Sequence, residues 1–326
     1  MSKKILFRLF PFVTIGLILI ATIVSGKYFD NSNSTSAKIG NQANYQLSRN
    51  IVYHEVNNSQ LELDLYQNQN PGLHPILINI HGGGWIKQSK EGLKPFFDPY
   101  LNWGFSVINI NYRLASTALA PAAVEDSRCA LAWVINNAQK YNFDTSKIIT
   151  TGFSAGGHLS LTTGMMSSEA GFDKQCPGNN LDNKKNQVAA IINWSGITDV
   201  ADLIAGANEK YYAVEWLGNK ITDAEIELAK TVSPINYVRS DLPPILTIHG
   251  EKDTFVPYAH AVRLHEKLDK VGVSNQLYSV RGAAHGGFSN QQKQQIYTTI
   301  KKFLIKHQLI GTYSGFHLHE LQNISL

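Results

Sequence analysis

The chain has 326 residues, 43% of them hydrophobic and 17% charged, which is apolar material enough for one large core and excludes a disordered tail protein. A chain of this length buries roughly three quarters of its unfolded surface, so its core requires neither a disulfide nor a metal. Lys+Arg 29 against Asp+Glu 25 leaves a net charge of +4, and with no basic block interleaved with aromatics the footprint of a nucleic-acid binder is absent.

Lys3, Lys4 and Arg8 precede an uncharged run from Leu9 to Gly26 that is mostly Leu, Ile, Val and Phe, the pattern of an export signal. Eighteen residues make roughly 27 Å of helix, slightly short of a hydrocarbon core. Val24, Ser25 and Gly26 offer a cleavage point, which makes residues 1–26 a removed signal peptide; left uncleaved, the same run is a membrane anchor with its positive end inside. Either way the expectation is an exported protein, periplasmic or secreted, with membrane association through residues 9–26 in the second case. The Asn, Ser, Gln and Thr that follow carry no apolar period and read as a polar linker over residues 27–49. Folding is expected over residues 50–310, and residues 311–326 form a tail without a readable motif.

From residue 51 onward, short β-rich runs alternate with longer helical stretches. Residues 51–56 and 61–66 read as a strand pair joined at Asn57 and Asn58. Further strands are expected at 76–80, 105–110, 148–151, 188–193, 245–248 and 276–280, and helices at 122–141, 155–166, 259–271 and 290–307. Strands alternating with helices and no internal repeat imply a three-layer α/β fold around a mostly parallel sheet, whose sites gather at the carboxyl ends of the strands. Residues 199–242 break the alternation and carry Tyr211, Tyr212, Trp216 and Tyr237. They are expected to form a small helical insertion between the strands near 193 and 245, a lid over the site or extra packing. Cys129 and Cys176 are the two thiols; they form no Cys-x-x-Cys zinc pattern and leave one disulfide or two buried thiols.

The chemistry concentrates in a few loops. Gly152-Phe153-Ser154-Ala155-Gly156 lies between an expected strand and an expected helix, the setting of a nucleophile elbow, in which a turn too tight for side chains on its flanks lifts a serine above the sheet. Ser154 is the candidate nucleophile. Upstream, a strand runs into His81-Gly82-Gly83-Gly84-Trp85. Successive glycines let main-chain amides approach a developing oxyanion, so Gly83, Gly84 and Ala155 are the candidate oxyanion donors; without a following Lys-Ser/Thr the loop is not a P-loop. A serine needs a base, most simply a histidine held by a carboxylate. His285 lies in a small-residue loop after the last strand and Asp253 directly after the preceding one, so Ser154, Asp253 and His285 follow the order nucleophile, acid, base. The rivals read as structural: His158 as a packing residue, His81 and His249 as hydrogen-bonding residues, Asp199 as a loop cap, and Glu125 and Asp126 as partners of a helix dipole; Glu251 is the substitute acid. Trp85, Phe153, Trp194 and Trp216 are candidates for lining a pocket or for filling the core. No metal or cofactor is implied.

These motifs, with Asn111-Tyr112-Arg113-Leu114, Gly250-Glu251-Lys252-Asp253 and Gly282-Ala283-Ala284-His285-Gly286, resemble the α/β-hydrolase esterases and lipases of the hormone-sensitive-lipase-like and feruloyl-esterase-like groups over roughly residues 50–307. The resemblance implies a serine ester hydrolase with Ser154, Asp253 and His285 as triad, Gly83, Gly84 and Ala155 as oxyanion hole, and a small-molecule ester as partner. Two departures stand out: a short tether replaces an N-terminal cap, and Phe153 stands where many relatives have an acidic residue. An arylformamidase-type amide hydrolase, which shares the His-Gly-Gly-x-Trp loop, and a catalytically silent binding protein on the same fold are the competing readings.

Overall fold

A computed structural model describes residues 43–178, 181 and 188–311. The expected signal segment, most of the linker and residues 312–326 lie outside the described residues. Among those described, no helix is long and apolar enough to cross a membrane.

The chain opens with a hairpin, β1 (Tyr45–Val56) and β2 (Ser59–Asn68). Asn57 and Asn58 turn it with both φ angles positive, +47° and +62°, the conformation a two-residue hairpin loop needs and asparagine tolerates. The linker boundary is corrected accordingly, because residues 45–49 belong to β1. A bulge between Ser48 and Ile51, with Asn50 at φ +54°, interrupts the register and so hides the period-2 alternation.

Next come β3 (His74–Ile80), α1 (Lys94–Asn102), β4 (Ser106–Ile110), α2 (Ala122–Asn136), α3 (Ala138–Tyr141), β5 (Phe143–Phe153) and α4 (Ala155–Met165). The expected helix over 122–141 is thus two helices divided at Asn137, and β5 begins earlier than its apolar run. After β6 (Ala190–Trp194) the expected insertion is present as short 3-10 turns around α5 (Tyr211–Trp216) and α6 (Asp223–Thr231). The chain then returns through β7 (Ile245–Gly250), α7 (Ala259–Lys270), β8 (Asn275–Val280) and α8 (Asn290–Lys306).

The eight strands form one sheet in the order β1-β2-β4-β3-β5-β6-β7-β8. β2 pairs antiparallel with both β1 and β4, and every later pairing is parallel. Central strands covered on both faces are apolar almost throughout. Ile76, Ile78 and Ile80 belong to the core on one face of the sheet, with Val124 of α2, Leu159 of α4 and Leu264 of α7, while Leu77 on the same strand belongs to the core on the other face, with Phe97 of α1 and Ile296 and Ile300 of α8. This is the three-layer α/β-hydrolase sandwich. Cys129 of α2 and Cys176 form a disulfide, which resolves the alternative that the sequence left open.

Asp126 does more than face a helix dipole. It is fully buried and accepts hydrogen bonds from the Arg113 guanidinium (2.7 and 2.9 Å) and the Arg113 amide (2.7 Å), an ion pair that joins the loop after β4 to α2.

Candidate active site

Ser154 stands between the end of β5 and the first residue of α4 with φ +59° and ψ −119°, a strained backbone for a residue with a side chain. Its amide donates to the Trp194 carbonyl at 2.8 Å, which locks the turn against β6. The flanking glycine is a steric necessity: a Cβ on Gly156 would lie 2.1 Å from the Ile80 carbonyl oxygen. The motif spacing therefore records how closely α4 crosses the end of β3.

The glycine loop leaves β3 beside this turn. Gly83 takes φ +98° and Gly84 φ +64°; the Gly83 carbonyl accepts from the Ile86 and Lys87 amides at 3.2 Å each. Among the described residues the amides of Gly83 and Gly84 have no protein acceptor, and Ala155, as first residue of its helix, has an N–H without an intrahelical partner. The three positions expected to hold an oxyanion thus have donors to spare.

Behind the loop is a buried aromatic frame. The Trp85 ring stacks on Trp216 of α5 at 4.2 Å, and its indole N–H donates to His158 Nδ1 at 3.2 Å. His158 Nε2 in turn donates to the Val232 carbonyl at 2.7 Å. Burial pushes His158 down to about 4, so the ring is neutral at ordinary pH, as one accepting and one donating nitrogen require. His81 is likewise lowered by burial to about 4 and stacks on Tyr112 at 4.1 Å; the Tyr112 hydroxyl donates to the Gly82 carbonyl at 3.0 Å.

On the other side, His285 Nδ1 and Asp253 Oδ2 are 2.7 Å apart. The second carboxylate oxygen accepts from the Phe255 and Val256 amides at 2.9 and 3.0 Å. Burial opposes the charged carboxylate, but hydrogen bonds from His249, His285 and the Val256 amide outweigh it and hold Asp253 well below the usual carboxylate range. The His285 imidazole lies between two phenyl rings, Phe153 at 4.7 Å and Phe255 at 5.5 Å between centroids. His285 and Ser154 line one cavity of about 160 Å³ together with Gly83, Gly84, Phe153 and Tyr212. They make no direct hydrogen bond to each other; such contacts are often long without substrate and tighten when it binds.

The other candidates fall elsewhere. Glu251 accepts from the Gly282 amide and does not reach His285 by a hydrogen bond, and Asp199 pairs with Arg263. Of the four aromatics expected at a pocket or in the core, Phe153 lines the cavity, while Trp85, Trp194 and Trp216 are at most 3% exposed and belong to the core. Residues outside the motifs complete the wall, Tyr212 of α5 and Phe255 among them, and the Tyr212 hydroxyl donates to the Phe255 carbonyl at 2.7 Å. The insertion therefore reaches the site, as a lid reading expects, but nothing in the spacing of Phe255 marks its part.

The BD-FAE family model matches residues 63–268, a stretch that holds Gly83, Gly84, Ser154, Ala155 and Asp253 and ends before His285. Esterase LipQ of Mycobacterium tuberculosis is 28% identical over 219 residues, covering 66% of this chain and 50% of its own. Esterase LipC of the same organism is 29% identical over 219 residues, covering 65% and 53%. The chain spans about half the length of these curated relatives. Among solved structures, a truncated carbohydrate esterase from gut microbiota superimposes with a TM-score of 0.68 at 29% identity, covering 82% of this chain and 98% of its own. The apo form of Thermogutta terrifontis esterase 2 gives 0.68 at 25% identity, covering 84% and 98%.

Proposed function

We propose, from the premise that this chain belongs to the BD-FAE family of α/β-hydrolases, that it is a serine hydrolase cleaving carboxylic esters. The observation that carries the reading is the His285–Asp253 hydrogen bond of 2.7 Å on the wall of the cavity that also holds Ser154. Ser154 Oγ attacks the ester carbonyl and gives its proton to His285 Nε2, while Asp253 fixes the imidazole tautomer and stabilises its positive charge. The amides of Gly83, Gly84 and Ala155 hold the oxyanion. Collapse expels the alcohol, which takes the proton from His285; water, deprotonated by the same imidazole, then releases the acid and restores Ser154.

The substrate reading is a short-chain acyl ester. A cavity of about 160 Å³ is well below the roughly 300–1,000 Å³ of sites that enclose drug-sized ligands, so a small acyl group fits and the alcohol stays outside. Tyr211 and Phe255, 62% and 56% exposed, line the same cavity and offer ring faces to that alcohol; a sugar would suit them, in keeping with the similarity to the carbohydrate esterase from gut microbiota. Export through residues 1–26 is part of the proposal, supported by the apolar run behind a basic start and by the Cys129–Cys176 disulfide, a bond of oxidising compartments.

The test is a p-nitrophenyl ester series from acetate to decanoate beside N-formylkynurenine, with Ser154→Ala as control. Esters should be turned over faster than the formamide, with kcat/KM falling beyond butyrate, and Ser154→Ala should lose on the order of a million-fold in kcat. A fluorophosphonate probe should label the wild type alone. Equal hydrolysis by Ser154→Ala, or no labelling of folded wild type, would overturn the esterase reading; faster formamide cleavage would replace it by the amide one.

A further inference from the structure

Asp253 is shared by two histidines. Besides His285, the ring of His249 approaches Oδ2, with Nε2 at 3.2 Å. His249 is the next-to-last residue of β7 and has no exposed surface. Its Nε2 also lies 3.0 Å from the Val256 carbonyl oxygen. Both neighbours are acceptors, so Nε2 carries the hydrogen, which it donates to the Val256 carbonyl while Asp253 Oδ2 stays within 3.2 Å of the same nitrogen. Nδ1 is buried without a hydrogen-bond partner among the described residues. That fits the same tautomer, because a bare acceptor is tolerated in a protein interior more readily than an orphaned N–H.

The loop from Asp253 to Val256 is folded around this ring. Asp253 Oδ1 is tied to the Phe255 and Val256 amides, and the Val256 carbonyl and Asp253 Oδ2 both converge on His249 Nε2. The two amides hold one oxygen and leave the carboxylate a pivot about it. His249, on β7, stands 3.2 Å from the other, the oxygen that also meets His285. His249 and His285 both favour the ionised form of Asp253 against the burial that opposes it.

We propose that His249 is a positioning residue of the active site: its Nε2–H fixes the Asp253 carboxylate so that Oδ2 stays in line with His285 Nδ1. The proposal rests on the esterase reading above, in which Asp253 acts through His285. A purely packing role would ask only for a ring-sized side chain at this position. The positioning role asks for a donor at the place of Nε2, which a glutamine amide can supply and a leucine cannot.

The experiment uses the full chain, with wild type and Ser154→Ala in the same ester assay. His249→Leu should lower kcat by about 10- to 100-fold with KM little changed, as a small misplacement of reacting groups does, and His249→Gln should recover most of the rate. The low-field proton resonance of the His285–Asp253 hydrogen bond should move or broaden in the leucine variant and persist in the glutamine one. Wild-type kcat in a folded His249→Leu, or equal damage from leucine and glutamine, would overturn the proposal. So would a nitrogen-15 spectrum of the unmutated protein placing the His249 hydrogen on Nδ1, a measurement that needs no variant to fold. If Ser154→Ala is as active as wild type, the esterase reading itself fails; if it is inactive while His249→Leu is not impaired, only the positioning role does.

Discussion

Gly84→Ala separates the oxyanion role of the glycine loop from mere flexibility. A methyl group there meets two obstacles. At φ +64° an alanine is held in the left-handed region, at a cost of about 1–2 kcal/mol. Its Cβ would also lie 2.8 Å from Tyr212 Cβ and 3.0 Å from Cγ. Tyr212 cannot swing aside cheaply, since the contact is at the root of its side chain, its ring is buried and its hydroxyl is bound to the Phe255 carbonyl. Ordinary contact begins at 3.4 Å, so the loop must retreat by 3.4 less 2.8, about 0.6 Å. A retreat of that size takes the Gly84 amide off the oxyanion, and one lost donor is worth about 2.7–4 kcal/mol, or 100- to 1,000-fold in kcat. KM should change little, because the donor acts chiefly in the transition state. Gly92→Ala is the control: its φ of +72° imposes the same backbone strain, but nothing lies within 4 Å of the added methyl, so it should lower the melting temperature and leave kcat alone. Steady-state kinetics on p-nitrophenyl acetate, with melting curves for both variants, decide the matter. A folded Gly84→Ala with wild-type kcat, or with a raised KM as its sole defect, would refute the assignment of this amide.

Acid should destabilise the fold well above the carboxylate range. His81, His158 and His260 are each lowered to about 4, with burial the largest cause, whereas the unfolded chain takes up these protons near 6.5. Between those values the unfolded state binds more protons than the folded one, so stability is complete above about pH 6.5 and declines as pH falls toward 4, by up to about 3 kcal/mol per ring. Urea midpoints measured from pH 7.5 to 4.5 should decrease steadily, and a flat profile would contradict neutral burial of these rings. Asp126→Asn leaves the buried Arg113 charge with the partly exposed Glu125 as its ion-pair partner and should cost about 3 kcal/mol by chemical denaturation; a loss under about 1 kcal/mol would show the pair to be dispensable.

What the sequence disclosed of this site follows from which forces act locally. The glycines around Ser154 and in the loop after β3 stand where an added Cβ would lie about 2.1–2.8 Å from a neighbouring atom, as on Gly156 against the Ile80 carbonyl oxygen. No other residue type fits there, so the steric demand is written directly as a spacing. The order of Ser154, Asp253 and His285 is equally legible, because Ser154 and Asp253 follow strands whose apolar runs announce their ends and His285 stands in a small-residue loop after the last strand. Obscured were the elements whose local pattern is broken by their own geometry: α1, with a proline in its first turn and Pro99 inside it, and the start of β1, displaced by its bulge. Most hidden were roles that arise only from contacts distant in sequence. Trp85 is conspicuous beside the glycines, yet its surroundings are His158 and Trp216, so its ring braces the oxyanion loop from behind where proximity to the motif suggested a pocket wall. Tyr212 and the Phe255 carbonyl meet across 43 residues, and that one bond ties the insertion to the acid loop while Tyr212 presses on Gly84. The helical insertion thus reaches both halves of the site, so a substitution that shifts Tyr212 should disturb oxyanion binding as well as the acid loop.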